Sequence, residues 1–437
     1  MIEIISIIAQ LLFFLVLFSF PFNTFNLNKI LNLKNGTLKL IDVHAVNIIF
    51  FSYFCLLSSF LKFDLKLLFK FYMIVSLSFL LFNLKRKYLK FNKNNILSFI
   101  IFILIIFSIF LFIAQDLRLE WDGHVWIQKA MIFFNNEKLT NLNQSIHPEY
   151  PFLGTYLWAL FWKNSLLELE YFGRYFYVYF YVVSIFFIVS AINIKNPNIK
   201  LLLVLFLILL TFEAYYFGGY QEYLIFSSLL VASKFIFILN ENDKKNIKII
   251  FLIFSILYIN SWFKSEGSIY LIIFFIPLLY FLNISSSQKI LFIVLTISGL
   301  ISNFFIKKYI IQISGTSEIN YFTNFLQNFE SLEIFFLKFI NIFNHIIIAF
   351  IKHPIWLIFL FSVFIQIFII KKSNFTLKYL IACFIMNLIV IFGAYSSFGN
   401  VDLILRVTLD RVLFQTSGFY IILFICNINE YENRFYK

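Results

Sequence analysis

The sequence predicts an all-α polytopic membrane protein with about 11–14 transmembrane helices and an outer loop that carries interfacial helices. Three observations predict it. Of 437 residues, 61% are hydrophobic and only 13% charged, where a soluble domain has about half and about a quarter. Such a chain cannot cover its own surface with polar groups, and in lipid it need not. The apolar residues also arrive in blocks that match the roughly 20 residues a helix needs to cross hydrocarbon. Helices satisfy their own backbone in lipid, and the blocks are too unbroken for the alternation of a membrane barrel. Lastly, much of the net charge of +13 lies in short loops, such as Lys85, Arg86, Lys87, Lys90 and Lys93. There it reads as the cytoplasmic flanks of spans, so membrane lipids and not nucleic acid are the expected surroundings.

From the N-terminus, spans are expected at 4–22, 45–61, 66–84 and 97–114. The first block has no basic n-region or small-residue cleavage site and reads as a retained span. The loop at 23–44 carries Lys29, Lys34 and Lys39, and the loop at 85–95 is strongly basic; placing both inside puts the first large loop, 115–150, outside. Its middle, Trp126 to Phe134, has the spacing of an amphipathic helix lying along the interface. The following piece, 151–162, is short for a span and is expected to be partly inserted or interfacial. Later spans are expected at 172–190, 201–216, 222–239, 249–262, 268–283 and 290–306, with Lys195, Lys200, Lys244, Lys245, Lys248 and Lys289 inside.

A second outer loop, 307–334, contains Gly315, Thr316, Ser317 and Glu318. The segment 331–351 then has two readings. Lys338, Asn341, Asn344 and His345 repeat at helical spacing, as on an interfacial helix that extends the second outer loop to 307–351. In that case 355–370 returns inward to Lys371 and Lys372, 376–395 goes back out, and Ser396–Arg411 is outside. If 331–351 crosses, Ser396–Arg411 is cytoplasmic. The chain reads as one membrane domain over 1–437, with N-terminal helices in 1–96 and C-terminal helices in 352–437. Cys55, Cys383 and Cys426 show no disulfide or metal spacing.

Five polar elements interrupt the apolar pattern on the outer side. The first is Arg118-Leu119-Glu120-Trp121-Asp122-Gly123-His124, just after a membrane exit. A carboxylate there is shielded yet reachable, which suits a general base or a metal ligand. Asp122 is the better candidate, because Gly123 permits close backbone approach; the plain alternative is a pair of solvated loop acids. The second, His147-Pro148-Glu149-Tyr150-Pro151, fixes a histidine and a carboxylate near the interface through two prolines. It reads equally as a rigid loop-to-helix junction. A divalent cation held by Asp122 with His124 or His147 is conceivable, on irregular spacing.

The third element, Tyr215-Tyr216-Phe217-Gly218-Gly219-Tyr220-Gln221-Glu222, would suit a sugar ring or lipid-linked substrate. An aromatic interface belt explains its tyrosines as well, but explains Glu222 less. In the fourth, Lys264-Ser265-Glu266-Gly267, Lys264 either pairs with Glu266 or neutralises a phosphate. In the fifth, Arg406 lies four residues before Asp410 and is able to pair with it along one helical face, while Arg411 offers a rigid fork for phosphate.

Taken in order, Glu120-Trp121-Asp122 with Trp126 and Lys129-Ala130, His147-Pro148-Glu149-Tyr150-Pro151, Gly219-Tyr220, Lys264-Ser265-Glu266-Gly267, and Asp410-Arg411 with Gln415 resemble a bacterial multi-pass glycosyltransferase of the GT-C type. These are the polyprenyl-phosphate-sugar-dependent relatives of the mannosyl-, aminoarabinose- and rhizobial lipopolysaccharide sugar transferases. The resemblance runs from about 115 to 420, and the His-Pro-Glu-Tyr-Pro and Lys-Ser-Glu-Gly strings are its most telling parts. It implies a GT-C-like fold in a bacterial inner membrane, with the active site facing the periplasm or exterior. It also implies Asp122 as catalytic base and Tyr150 and Pro151 as a landmark, with Lys264 or Arg411 holding the donor phosphate. Glu120, His124, His147, Glu149, Tyr150, Tyr220, Glu222, Lys264, Glu266 and Arg411 then line the substrate site.

Two departures stand out. Some relatives carry an aspartate after Gly-Tyr, where this chain has Gln221 then Glu222, and many have a proline soon after the late arginine, where Thr416-Ser417-Gly418 stand here. The implied reaction moves a sugar from a polyprenyl-phosphate donor to a lipid, glycan or protein acceptor. A lipid-linked glycan transporter would instead favour paired ionisable residues near mid-membrane. A polysaccharide polymerase or ligase would place its large outer loop in the second half of the chain.

Overall fold

The computed structural model describes residues 2–34, 37–86, 93–194, 196–241, 245–312, 331–370, 374–398 and 401–435, and among them it contains helices and turns but no strand. The first helices are α1 (Ile2–Leu17), α2 (Thr24–Ile30), α3 (Leu40–Phe60), α4 (Leu65–Lys85) and α5 (Lys93–Gln115). Next come α6 (Trp121–Phe134), α7 (Leu153–Lys163), α8 (Tyr171–Val189), α9 (Pro197–Thr211), α10 (Glu222–Glu241), α11 (Ile247–Phe263), α12 (Glu266–Phe281) and α13 (Ser286–Phe305). After the second loop follow α14 (Leu332–Lys352), α15 (Pro354–Phe364), α16 (Phe375–Ser396), the short α17 (Val401–Ile404) and α18 (Asp410–Phe435). Several starts are written locally: Asp64 accepts from the Lys66 and Leu67 amides, Asn196 caps a helix with Pro197 in its first turn, and Ser285 forms a capping box with Gln288.

Among the described residues, nine helices are long and apolar enough to cross a membrane, and five more are apolar but shorter. Burial separates centre from edge. All of the apolar window of α8 and of α10 is buried inside the protein, against 17% for α13 and α14. The edge helices turn large apolar side chains outward, among them Leu67, Ile74, Leu202, Leu209, Ile290 and Leu337. An exterior this apolar around an interior that holds ion pairs is suited to lipid as solvent, not water.

Helix α8 shows how the centre is tied. Tyr175, Tyr177, Tyr179 and Tyr181 fall on two faces of the helix, Tyr175 with Tyr179 and Tyr177 with Tyr181, and each buried hydroxyl finds a hydrogen-bond partner on a neighbouring helix. Tyr175 donates to the Phe110 carbonyl on α5 at 3.1 Å, and Tyr177 to the Gly154 carbonyl on α7 at 3.1 Å. Tyr179 meets His44 on α3 at 2.8 Å, and Tyr181 meets Thr211 on α9 at 2.6 Å.

The fold departs from the expected layout in four places. The loop at 23–44 contains α2, started by the Asn23 side chain accepting from the Asn26 amide. The segment 151–162 forms α7, whose residues Leu153 to Phe161 are all buried by protein and not spread on an interface. Arg406 pairs with Asp402 at 2.8 Å and not with Asp410, which pairs with Lys352. Finally, part of the polar stripe of α14 packs on Ser396, Phe398 and Asp402, while Asn344 stays exposed. Lys338 donates to the Ser396 and Phe398 carbonyls, and His345 meets Asp402 at 2.9 Å. This brings Arg411 to the same end of the bundle as Asp122, so the arrangement that separates them is not the one the fold adopts. Gly315, Thr316, Ser317 and Glu318, with Lys87, Lys90, Lys195, Lys244, Lys371 and Lys372, lie outside the described residues.

Candidate functional site

One end of the bundle collects the first turns of α6, α10 and α12 and the point where the helix from Val401 passes into α18. Each of the three starts carries a carboxylate in its first turn: Asp122, Glu222 and Glu266. Unpaired backbone N–H groups make a helix start electropositive, which is why acids are stabilised there.

Glycine brings two of these starts together. A Cβ on Gly123 would stand 2.1 Å from the Gly218 carbonyl oxygen, and Gly219, at φ +101°, has its α-carbon face against the Gly123 backbone. The Glu120 amide donates to that same Gly218 carbonyl at 2.9 Å. Close backbone approach at Gly123 therefore serves to dock α6 on the 218–219 turn, which sets Asp122 beside Tyr220 and the start of α10. From below, buried Arg174 on α8 holds the same junction. It donates to the Phe217, Arg118 and Leu117 carbonyls at 3.1 to 3.3 Å and pairs with Glu170 at 3.1 Å. Burial raises the Glu170 carboxyl above the usual carboxylate range, an effect its arginine partner opposes. A cavity of about 220 Å³ lies beside this junction, lined by Asp116, Arg118, Glu120, Arg174, Tyr215 and Gly218 among others.

At the centre is a chain of alternating charges. Asp122 Oδ2 lies 2.5 Å from Arg411 Nη2, Arg411 Nε lies 2.6 Å from Glu222 Oε1, and Lys264 Nζ lies 2.9 Å from that same oxygen. Lys264 then reaches Glu266 at 3.1 Å. Three carboxylates thus share two cations, leaving one negative charge in excess. Glu222 is fully buried, and its second oxygen has no hydrogen-bond partner among the described residues. The Arg411 guanidinium also stands 4.7 Å above the centre of the Tyr220 ring, a cation–π contact. Tyr220 is buried and bonded to the Tyr215 hydroxyl; burial first, then that bond, pushes its phenol up.

Asp122, Tyr220, Glu222, Lys264, Glu266 and Arg411 are therefore brought together, and Glu120 stands at the edge as the residue that opens α6. Others are not drawn into the chain. His124 is exposed on α6, while His147 and Glu149 pair with each other at 3.1 Å. Tyr150 stacks on Trp126 and on His147, and its carbonyl accepts from Lys129 at 2.7 Å. Among the described residues, no group of three or more His, Cys, Asp or Glu is arranged to hold a metal ion. Asp122 is engaged with Arg411 and His147 with Glu149, so the pair considered for a divalent cation is not assembled.

Three groups went unassigned on sequence. Arg174 was hidden in an aromatic block, although a lone arginine inside a span is itself a signal. Lys129 is fully buried, and burial lowers its ammonium to about 7. Asp42 and Lys234 form a second buried pair at 2.9 Å, with Ser190 donating to Asp42 at 2.6 Å. Lys234 lies on α10 about 18 Å further along than Glu222 at 1.5 Å per residue, toward the opposite end of the bundle. No protein-family model, curated protein or solved structure matches this chain.

Proposed function

We propose that this chain is a membrane glycosyltransferase of the GT-C type, which moves a sugar from a polyprenyl-phosphate carrier to a lipid, glycan or protein acceptor at the outer face of a bacterial inner membrane. The observation that carries the reading is the ionic chain Asp122–Arg411–Glu222–Lys264–Glu266, assembled at one end of the bundle from four separate segments. It unites a candidate base with two candidate phosphate ligands, and the surrounding helix starts favour anions.

In this reading the acceptor hydroxyl gives its proton to Asp122 while its oxygen forms a bond to the anomeric carbon. The bond from that carbon to the phosphate oxygen breaks, and its electron pair leaves with the carrier phosphate. Attack opposite the phosphate inverts the centre. The leaving phosphate gains negative charge, which Arg411 and Lys264 stabilise as fixed cations. Glu222 keeps both in place from a position substrate does not reach.

Asp122→Asn tests the base directly. In protein extracted in folded form, transfer from a polyprenyl-phosphate sugar is expected to fall by about 10²–10⁴-fold, the usual share of a general base. Unchanged turnover removes Asp122 from the role.

The alternative is a lipid-linked glycan transporter, which the buried Asp42–Lys234 pair does not favour, because Asp42 lies in the first turn of α3 and Lys234 toward the end of α10, away from mid-membrane. Reconstitution separates the two: a transporter moves a lipid-linked glycan across vesicles with no acceptor present, whereas a transferase consumes the donor only when one is added.

A further inference from the structure

The ionic chain has an order built into its burial. Glu222 is 0% exposed and bonds both cations through one oxygen, whereas Asp122 and Glu266 are 28% and 31% exposed and each bonds one. The cations lie between, with Lys264 at 8% and Arg411 at 11%. Each cation is thus fixed from behind by Glu222 and covered at the mouth by a carboxylate of its own. The two Arg411 atoms engaged, Nε and Nη2, form one edge of the guanidinium, the edge that takes a carboxylate or phosphate through two parallel bonds. Here that edge is split between two acids.

We propose that the donor phosphate and Asp122 compete for this edge of Arg411, so that phosphate entry is what releases Asp122. The order of binding is therefore donor first and acceptor second. This rests on the glycosyltransferase reading above. A phosphate reaching Arg411 meets Asp122 and not Glu222, because Glu222 lies behind both cations. Asp122 stands in the first turn of α6 with its side chain 28% exposed, so its carboxylate reaches solvent beside the cation. The oxygen that bonds Arg411 is occupied there; once displaced, it is turned toward the mouth, where an acceptor hydroxyl arrives. Glu266 covers Lys264 in the same manner.

The test is equilibrium binding of farnesyl phosphate to the full-length protein in detergent, with inorganic phosphate and farnesol as parallel probes. Asp122→Asn uncovers Arg411 and is expected to bind farnesyl phosphate about tenfold tighter than the parent or more. Asp122→Ala and Glu266→Gln are expected to shift affinity in the same direction. Glu213→Gln removes a negative charge from the turn before α10, where Glu213 meets His353 at 3.6 Å, and is expected to change affinity by less than about threefold. A parent that binds the probe while Asp122→Asn and Asp122→Ala, both eluting as folded protein, bind it no better overturns the competition and leaves the glycosyltransferase reading standing. An equal gain in Glu213→Gln also overturns it, since charge alone then explains the effect. Binding by neither parent nor variants overturns the reading and the proposal together. A gain for inorganic phosphate and none for farnesyl phosphate overturns the lipid carrier, and the proposal with it.

Discussion

At the scale of single residues, Glu222 and Lys129 make opposite demands on burial. Glu222 is a buried anion held by two cations, so removing it leaves Arg411 and Lys264 facing each other with only the more exposed Asp122 and Glu266 as partners. Breaking a buried pair by deleting one partner costs about 3–5 kcal/mol, and Glu222→Leu is expected to lower thermal stability in detergent accordingly. An unchanged melting temperature would show that the cations are held by other means. Lys129 is a buried cation whose ammonium falls from 10.5 to about 7, first through burial, opposed by Glu149 and reinforced by Lys307. Between these values the unfolded chain holds a proton that the folded chain has lost. Stability therefore rises with pH from about 7 toward 10.5, by at most about 1.4 kcal/mol per unit, and is lowest below 7. Lys129→Met, which keeps the length without the charge, is expected to flatten that rise. A melting curve measured at each pH for both proteins checks it through their difference, which cancels other titrating groups. Asp122, Glu222, Lys264, Glu266 and Arg411 were legible in the sequence as polar residues out of place among apolar blocks. Their partners were not. Glu222 meets Lys264 across 42 positions and Arg411 across 189, and only the fold closes such distances.

At the scale of elements, the spans were legible because lipid imposes both a length and an apolar composition on a helix, and block length reports both. Most expected spans lie within a few residues of helices α3 to α5, α8 to α13, α15 and α16. The junctions were less legible. α7 looked interfacial because eleven residues are short for a span, and a short helix wholly enclosed by its neighbours has the same composition as one lying on a surface. The stripe of α14 looked solvent-facing for a related reason: helical spacing shows that polar residues share a face, not what that face meets. The contact of α6 with the 218–219 turn gives the sharpest test at this scale. A Cβ on Gly123 falls well inside the Gly218 carbonyl, and backbone on both sides leaves no flexible atom to yield. Gly123→Ala is expected to push α6 away, separate Asp122 from Arg411 and abolish transfer, while Gly393→Ala, which meets nothing within 4 Å, is expected to leave transfer unchanged. Arg174→Met is expected to act on the same junction from below, because it frees the Phe217, Arg118 and Leu117 carbonyls at once.

At the scale of the whole molecule, the two ends of the bundle differ in charge, and this difference predicts its orientation. The site end carries the ionic chain with its excess of one negative charge. The other end gathers lysines: Asn246 donates to the Leu31 carbonyl and Lys248 to Asn32, which places the loops with Lys29, Lys34, Lys245 and Lys248 side by side. Basic loops stay on the cytoplasmic side, so the site end is expected to face outward, as the proposed transfer to an envelope acceptor requires. Cysteine labelling checks this with little background, because Cys55, Cys383 and Cys426 are all buried. Single cysteines are placed at Trp121, 82% exposed, at Arg406, on the helical segment that leads into Asp410, and at Ser286, exposed where α12 gives way to α13 at the far end. A thiol reagent that does not cross membranes is expected to modify Trp121→Cys and Arg406→Cys in intact cells, and Ser286→Cys only after the membrane is opened. Labelling of Ser286→Cys from outside would invert the molecule and put the candidate base in the cytoplasm. Labelling of Trp121→Cys and Arg406→Cys from opposite faces would separate Asp122 from Arg411, and the ionic chain could not then form.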